Sequence, residues 1–329
     1  MKYAKLSITF FILAVTIVLN SATSNASQKT SGKDEYGNDW SYDAETKTLT
    51  FTGEGKVGAD FIMDGHSPEP EWYDLHRETE KVVFSEKITE IGAGTCEGFT
   101  FTKKIELPQT LEIIGESAFS SCVRLESVNF PSSLRILGEY SFSGCYKLIN
   151  IDLNEGLEVI GNAALASNKF VSIIIPSTVK KIEADAFQSC VNLSYIKLPD
   201  NLLSIGCKAF NRCYNLKEIK IPKSVTQIGV GAFSYSGIKK IEIPKGVKNI
   251  FYDKDEILLP EEKGLFLGCK NLKKVVIKSK KITKIAKNSF YKTNKRVKIY
   301  VPKGKKKKYT KMFREKGKLS KKVKILAIE

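Results

Sequence analysis

Histidine is almost missing from this chain. Only His66 and His76 occur in 329 residues, outside any H-E-x-x-H frame. The usual zinc ligand and acid–base side chain is therefore not present in useful number. No two cysteines form a C-x-x-C pair, and G-x-S-x-G does not occur. That removes the cysteine zinc motif, the thioredoxin-type redox pair and the hydrolase nucleophile elbow. Nothing assembles a nucleophile, a base and an electrophile, so no catalysis, metal or cofactor is expected. Seven cysteines are too few for a disulfide-built scaffold of this length. Acids are scarce at one end only. Residues 270–329 hold 24 Lys and Arg against Glu315 and Glu329, while the remainder holds 29 basic and 34 acidic residues. The formal net charge of +17 thus describes a near-neutral body with a basic end, not a uniformly basic nucleic-acid binder.

What is present begins with a targeting signal. Lys2 and Lys5 precede an apolar run over residues 6–19, and Ser24 and Ala26 put small side chains ahead of Ser27. Residues 1–26 therefore read as a cleavable signal peptide, with a core too short for a comfortable membrane span. No cysteine near Ser27 offers a lipid attachment point. No later stretch is apolar enough to cross a bilayer, so a secreted or cell-surface location without a transmembrane segment is expected.

The body repeats itself. Phe119, Phe142, Leu165, Phe187, Phe210 and Phe233 occupy one slot at spacings of 23, 23, 22, 23 and 23. Gly115, Gly138, Gly161, Glu183, Gly206 and Gly229 keep the same beat, and Phe266 and Phe290 continue the series after an insertion. Within one unit, Val128 and Phe130 alternate around Asn129 as in a strand, and Pro131 ends it by removing a ladder donor. Leu134, Ile136 and Leu137 form a second short extended piece pointing inward, Gly138 permits a turn, and Phe119 fills the interior. One unit cannot bury its apolar face alone; stacked units pair their strands in parallel and share one core.

The L-x-x-I-x-I-P strand (Leu193, Ile196, Leu198, Pro199), the I-G step (Ile205, Gly206) and A-F-x-x-C (Ala209, Phe210, Cys213) resemble the BspA-like leucine-rich repeats of bacterial surface and secreted proteins. The resemblance implies an α/β solenoid with one parallel β-sheet on its concave face. It divides the chain into a signal peptide (1–26), an amino-terminal β cap (27–81), repeats (82–302) and a basic carboxy-terminal cap or tail (303–329). It also implies adhesion to an extracellular protein or a host or matrix ligand.

Several features carry two readings. Cys122, Cys145, Cys190, Cys213 and Cys269 share a slot with Asn168, Ser236 and Thr293. The slot therefore asks for a small residue, and inert buried thiols are expected rather than staples. Gly53, Gly55 and Gly58 satisfy G-x-G-x-x-G, but Gly65, Pro68 and Pro70 deny the helix a nucleotide site needs, so a turn is expected. On the sheet face, Tyr195, Lys197, Glu218, Lys220, Lys240 and Glu242 are the candidate protein-binding residues; the alternative is a solvated face. Lys305, Lys306, Lys307 and Lys308 are either a solvated cap or a site for an anionic glycan or envelope polymer. Few aromatics flank them, so specific nucleic-acid binding is not expected. The stretched period near residues 251–262, with Asp253, Asp255 and Glu256, lacks calcium-loop spacing and reads as a protruding loop.

Overall fold

The computed structural model describes residues 29–60, 68–248, 250 and 264–328. The signal peptide, His66 and the acidic residues of the 251–262 insertion lie outside the described residues.

Each repeat contributes an extended piece to a front ladder. Thr48–Thr52, Lys81–Phe84, Lys104–Glu106, Ser127–Asn129 and Asn150–Asp152 pair in parallel, each with the next. Ser172–Ile174 and Tyr195–Lys197 follow, then Glu218–Ile219, Lys240–Ile243, Lys274–Ile277, Lys298–Pro302 and Lys324–Ile328. Alternation decides which side chains enter the core: Val128 is buried between exposed Ser127 and Asn129, and Ile196 between Tyr195 and Lys197.

The chain then turns and forms a second parallel ladder. It runs through Glu54–Val57, Lys87–Ile91, Ile113–Ile114, Ile136–Leu137, Val159–Ile160, Lys181–Ile182, Ser204–Ile205 and Gln227–Ile228. One parallel sheet was expected, in an α/β fold. The molecule is instead a parallel-strand β-solenoid with two ladders, and its α-helix among the described residues is Lys306–Glu315. The reason is local. The two-residue apolar pieces such as Ile136 and Leu137 sit one repeat apart and pair with each other as readily as the longer strands do.

A third side is made of turns, not strands, and hydrogen-bonds from repeat to repeat. Ser117, Phe119 and Ser121 donate their N–H groups to the carbonyls of Glu139, Ser141 and Ser143 at 2.7, 2.9 and 2.7 Å. Lys208, Phe210 and Arg212 do the same to Val230, Ala232 and Ser234 at 2.9, 2.8 and 2.9 Å. Aiming alternate N–H groups at the next repeat requires left-handed backbone twice per turn, as at Ser117 (φ 54°) and Ser121 (φ 60°). That conformation costs a non-glycine residue about 1 kcal/mol, which the inter-repeat bonds offset.

Inside, the repeated phenylalanines stack along the axis. Phe119 and Phe142 lie 5.2 Å apart between ring centres, Phe187 and Phe210 5.6 Å, and Phe210 and Phe233 5.8 Å. The repeated glycines serve this stacking. Gly138 was expected to permit a turn, but its φ is not left-handed. A Cβ there would meet the carbonyl carbon of Gly115 at 2.6 Å and the nitrogen of Glu116 at 2.8 Å. The slot favours glycine because the preceding repeat's backbone crowds it; Glu183 takes it in one repeat, with its side chain exposed.

The two ends differ from the repeats. Ser31–Lys33, Asp39–Asp43 and Thr48–Thr52 form an antiparallel meander whose last strand starts the front ladder. Beneath it Trp72 donates to the Thr95 carbonyl at 2.8 Å and meets Phe51 edge-on at 5.1 Å. Gly53 and Gly58 flank the strand Glu54–Val57 and Gly55 lies within it, so this motif frames a strand and not the expected turn. At the other end, the helix Lys306–Glu315 buries Tyr309 and Phe313, with Phe313 packed 5.2 Å from Phe290. The carbonyls of Lys316 and Gly317 accept from Asn288 and Phe290 at 3.1 and 2.7 Å, extending the third side by one more turn.

Replacing Gly138 with alanine should lower stability by about 1–3 kcal/mol, because backbone cannot yield cheaply to an inserted methyl. Urea denaturation of the G138A chain checks this.

Candidate functional site

The front ladder's outer side carries side chains in straight columns, because parallel pairing keeps each repeat in register with the next. One column runs Ser172, Tyr195 and another runs Ile174, Lys197. Further along, Glu218 faces Lys240 and Glu242 faces Val276. Tyr195 is 54% exposed and Ile174 56%, values that leave a large apolar surface in water beside charged neighbours.

All six sheet-face candidates come together here. Tyr195, Lys197, Glu218, Lys220, Lys240 and Glu242 line one shallow groove of about 640 Å³, which crosses four successive strands. Lys274 and Val276 extend it, and Asp200 enters from the loop after Tyr195–Lys197. Asp200 was not among the sequence candidates. It follows Pro199, outside the strand alternation, and only the fold brings it to the groove. The groove alternates sign: lysines from every contributing strand face Glu218, Glu242 and Asp200. Lys278 holds Glu242 at 2.7 Å, both partners remaining largely in solvent, which makes the pair worth no more than about 1 kcal/mol.

The four consecutive lysines separate. Lys305 is half-buried in a 3-10 turn, whereas Lys306, Lys307 and Lys308 are exposed on the helix. Lys306 and Lys307 share a second shallow groove with Lys311 and Arg314, which Lys305 and Lys308 do not line. The i, i+4 spacing of Lys307 and Lys311, opposite buried Tyr309 and Phe313, carried that information once the segment is read as a helix.

The buried thiols have a structural role. The Sγ atoms of Cys122, Cys145, Cys190, Cys213 and Cys269 each approach one backbone carbonyl, those of Cys96, Phe119, Leu165, Phe187 and Phe233, at 3.4, 3.3, 3.2, 3.1 and 2.9 Å. Each acceptor occupies the phenylalanine slot of the repeat before. Asn168 takes the same slot and donates to Phe142 at 2.9 Å and Leu165 at 3.0 Å. Smallness alone was the expected requirement; the slot in fact supplies a second, buried donor to a carbonyl that otherwise accepts only within its own turn, as Phe119 does from the Cys122 N–H at 3.4 Å. Burial pushes the Cys145 and Cys190 thiols up to about 12 and Cys269 to about 11. A thiol is nucleophilic only as thiolate, so these groups are unreactive near neutral pH. All seven cysteines are buried and none is in a disulfide. Among the described residues no three His, Cys, Asp or Glu side chains gather as a metal site, and no helix is long and apolar enough to cross a membrane.

With this geometry, comparison with known proteins is direct. The family model for the BspA type leucine rich repeat region matches residues 71–194, 180–255 and 260–325, with six copies. The chain belongs to the BspA-type leucine-rich repeat family. A leucine-rich repeat protein from Bacteroides ovatus has a similar fold, with a TM-score of 0.55 at 22% identity, over 80% of this chain and 77% of that one. A leucine rich cell surface protein from Faecalibacterium prausnitzii aligns over 92% of this chain and 95% of its own, at 19% identity and a TM-score of 0.45. The leucine rich repeat protein of T. pallidum is 27% identical over 54% of this chain and 86% of that one, with a TM-score of 0.42. No curated protein sequence matches.

Thiol reagents at pH 7–8 should modify the folded BspA-type chain barely at all, and in denaturant without reductant all seven cysteines should react. Cys190→Ser should keep the hydrogen bond to Leu165, whereas Cys190→Val removes one of the two donors to that carbonyl, Asn168 remaining at 3.0 Å, and should cost about 0.5–1.5 kcal/mol. Thiol titration and denaturation curves read both outcomes.

Proposed function

We propose that this BspA-type repeat chain is a non-enzymatic interaction scaffold, exported from the cell and binding a partner protein across the groove at Tyr195. The amino-terminal signal pattern and the family support export to the surface or the medium. The observation that carries the binding site is the convergence of Tyr195 with both signs of charge in one groove that no other described segment covers. An exposed aromatic ringed by charged groups is the usual anatomy of a protein-recognition anchor, the ring supplying buried area and the charges fixing register. The amino-terminal meander and the carboxy-terminal helix act as caps that cover the ends of the core, as soluble repeat arrays require.

A second surface has its own support. Lys306, Lys307, Lys311 and Arg314 line the groove on the helix, and Glu315 is its acidic member. This patch steers or tethers the scaffold on anionic surfaces such as sulfated glycan or envelope polymer.

The two readings respond differently to salt. Proteins captured from envelope and host-surface extracts through the Tyr195 groove should stay bound at 0.5 M salt, where screening acts within about 4–5 Å. Tyr195→Ala with Glu218→Lys should abolish that capture without changing the melting temperature; unchanged capture by the double variant would sink the groove reading. Replacing Lys305, Lys306, Lys307 and Lys308 by Gln should instead weaken retention on heparin at low salt only, and identical retention at every salt concentration would leave the helix as a solvated end.

A further inference from the structure

The front ladder carries a row of like charges. Lys240, Lys274, Lys298 and Lys324 stand directly opposite one another on four successive parallel strands. All four are exposed. Neighbouring strands lie about 4.8 Å apart, so the ammonium groups rise from backbone positions spanning about 14 Å along the solenoid axis. Beside this row a second one is built from Lys217, Lys239 and Lys273, linked repeat to repeat by backbone bonds of 2.7 and 2.8 Å.

Like charges directly opposite on paired strands are destabilising, and elsewhere in the molecule acids answer them. Glu106 holds both Lys81 and Lys104, at 3.0 and 2.7 Å, and Glu80 holds Lys47 and Lys103, at 3.1 and 2.6 Å. Among the described residues no ion pair reaches Lys240, Lys274, Lys298 or Lys324. Lys274 rests over the Tyr300 ring at 5.1 Å, which keeps its ammonium on the row. Lysine on an edge strand discourages unwanted pairing, but Lys240, Lys274 and Lys298 sit on inner strands where no edge needs protection.

We propose that this lysine row binds a linear acidic polysaccharide laid along the solenoid axis, one sugar carboxylate to each lysine. The row keeps register from strand to strand, its charges are spaced by the strand pitch, and its complement is a stiff chain with one acid per sugar. Each strand of a DNA duplex advances about 3.4 Å along the helix axis per phosphate and winds away from any straight line, so it falls out of step with the row. The site is separate from the helix patch, and its outer half, Lys298 and Lys324, lies beyond the Tyr195 groove.

Oligogalacturonates of two to eight sugars, titrated against the purified chain at low salt, test it. Affinity should climb steeply up to four sugars and then level. Lys298→Gln with Lys324→Gln should weaken tetramer binding about fivefold or more and move the plateau from four sugars to two. The melting temperature of that variant should hold or rise, since repulsion is relieved, and its protein capture through the Tyr195 groove should persist. The Lys305–308 Gln variant should keep the wild-type length dependence. The proposal is overturned if length dependence is absent, if the helix variant loses as much as the row variant, or if methyl-esterified oligomers, polyglutamate or single-stranded DNA of equal length bind as tightly.

Discussion

Everything in this molecule depends on one constraint: successive repeats are joined backbone to backbone, so each must lie one strand spacing from the next. Strand hydrogen bonds impose that distance on two sides. On the third, the N–H groups of Ser117, Phe119 and Ser121 reach the carbonyls of the following repeat at 2.7–2.9 Å. Any interior residue must therefore stack on its own copy at that pitch. Flat rings tolerate it, which is why Phe187, Phe210 and Phe233 lie face to face with interplanar angles of 3° and 6°. Glycine tolerates it where backbone approaches backbone, as at Gly138 and Gly206.

The same constraint explains the cysteines. A turn that sends alternate N–H groups onward leaves carbonyls inside the core whose backbone donor is a long bond within their own turn, 3.4 Å at Phe119 and 3.3 Å at Phe187, and an under-satisfied buried carbonyl costs free energy. Sulfur meets that need weakly but with little desolvation. The amide of Asn168 meets it with a second bond and leaves its own Oδ1 without a hydrogen-bond partner. The thiols are thus part of the repeat's hydrogen bonding, and their raised pKa values follow from the same burial.

Register also converts sequence periodicity into surface pattern. Once each repeat sits over the last, any bias at one outward position becomes a column. In the first half of the solenoid the columns mix signs and form ion pairs such as Lys81 with Glu106 and Arg135 with Glu158. In the second half, drift toward lysine stacks charge on charge. A mixed groove and a single-sign row then overlap on one face, sharing Lys240 and Lys274, with Lys298 and Lys324 carrying the row beyond the groove.

The repeat length, the solenoid, the inward column and the outward columns were legible in the sequence, because parallel stacking makes equivalence in sequence equivalence in space. The six groove candidates follow from that alone, since residues two apart on one strand and one repeat apart on the next must be neighbours. The tertiary structure decided the rest. It made the short Ile–Leu pieces a second ladder, because pairing partners become available only once the repeats are stacked. It turned the glycine slot from a turn into a contact, and the cysteine slot from a matter of size into a hydrogen bond. It drew Asp200 into the groove from a loop and split four consecutive lysines between a 3-10 turn and a helix face. Each of these depends on which backbone groups of the neighbouring repeat are left unpaired, and a linear sequence does not record that.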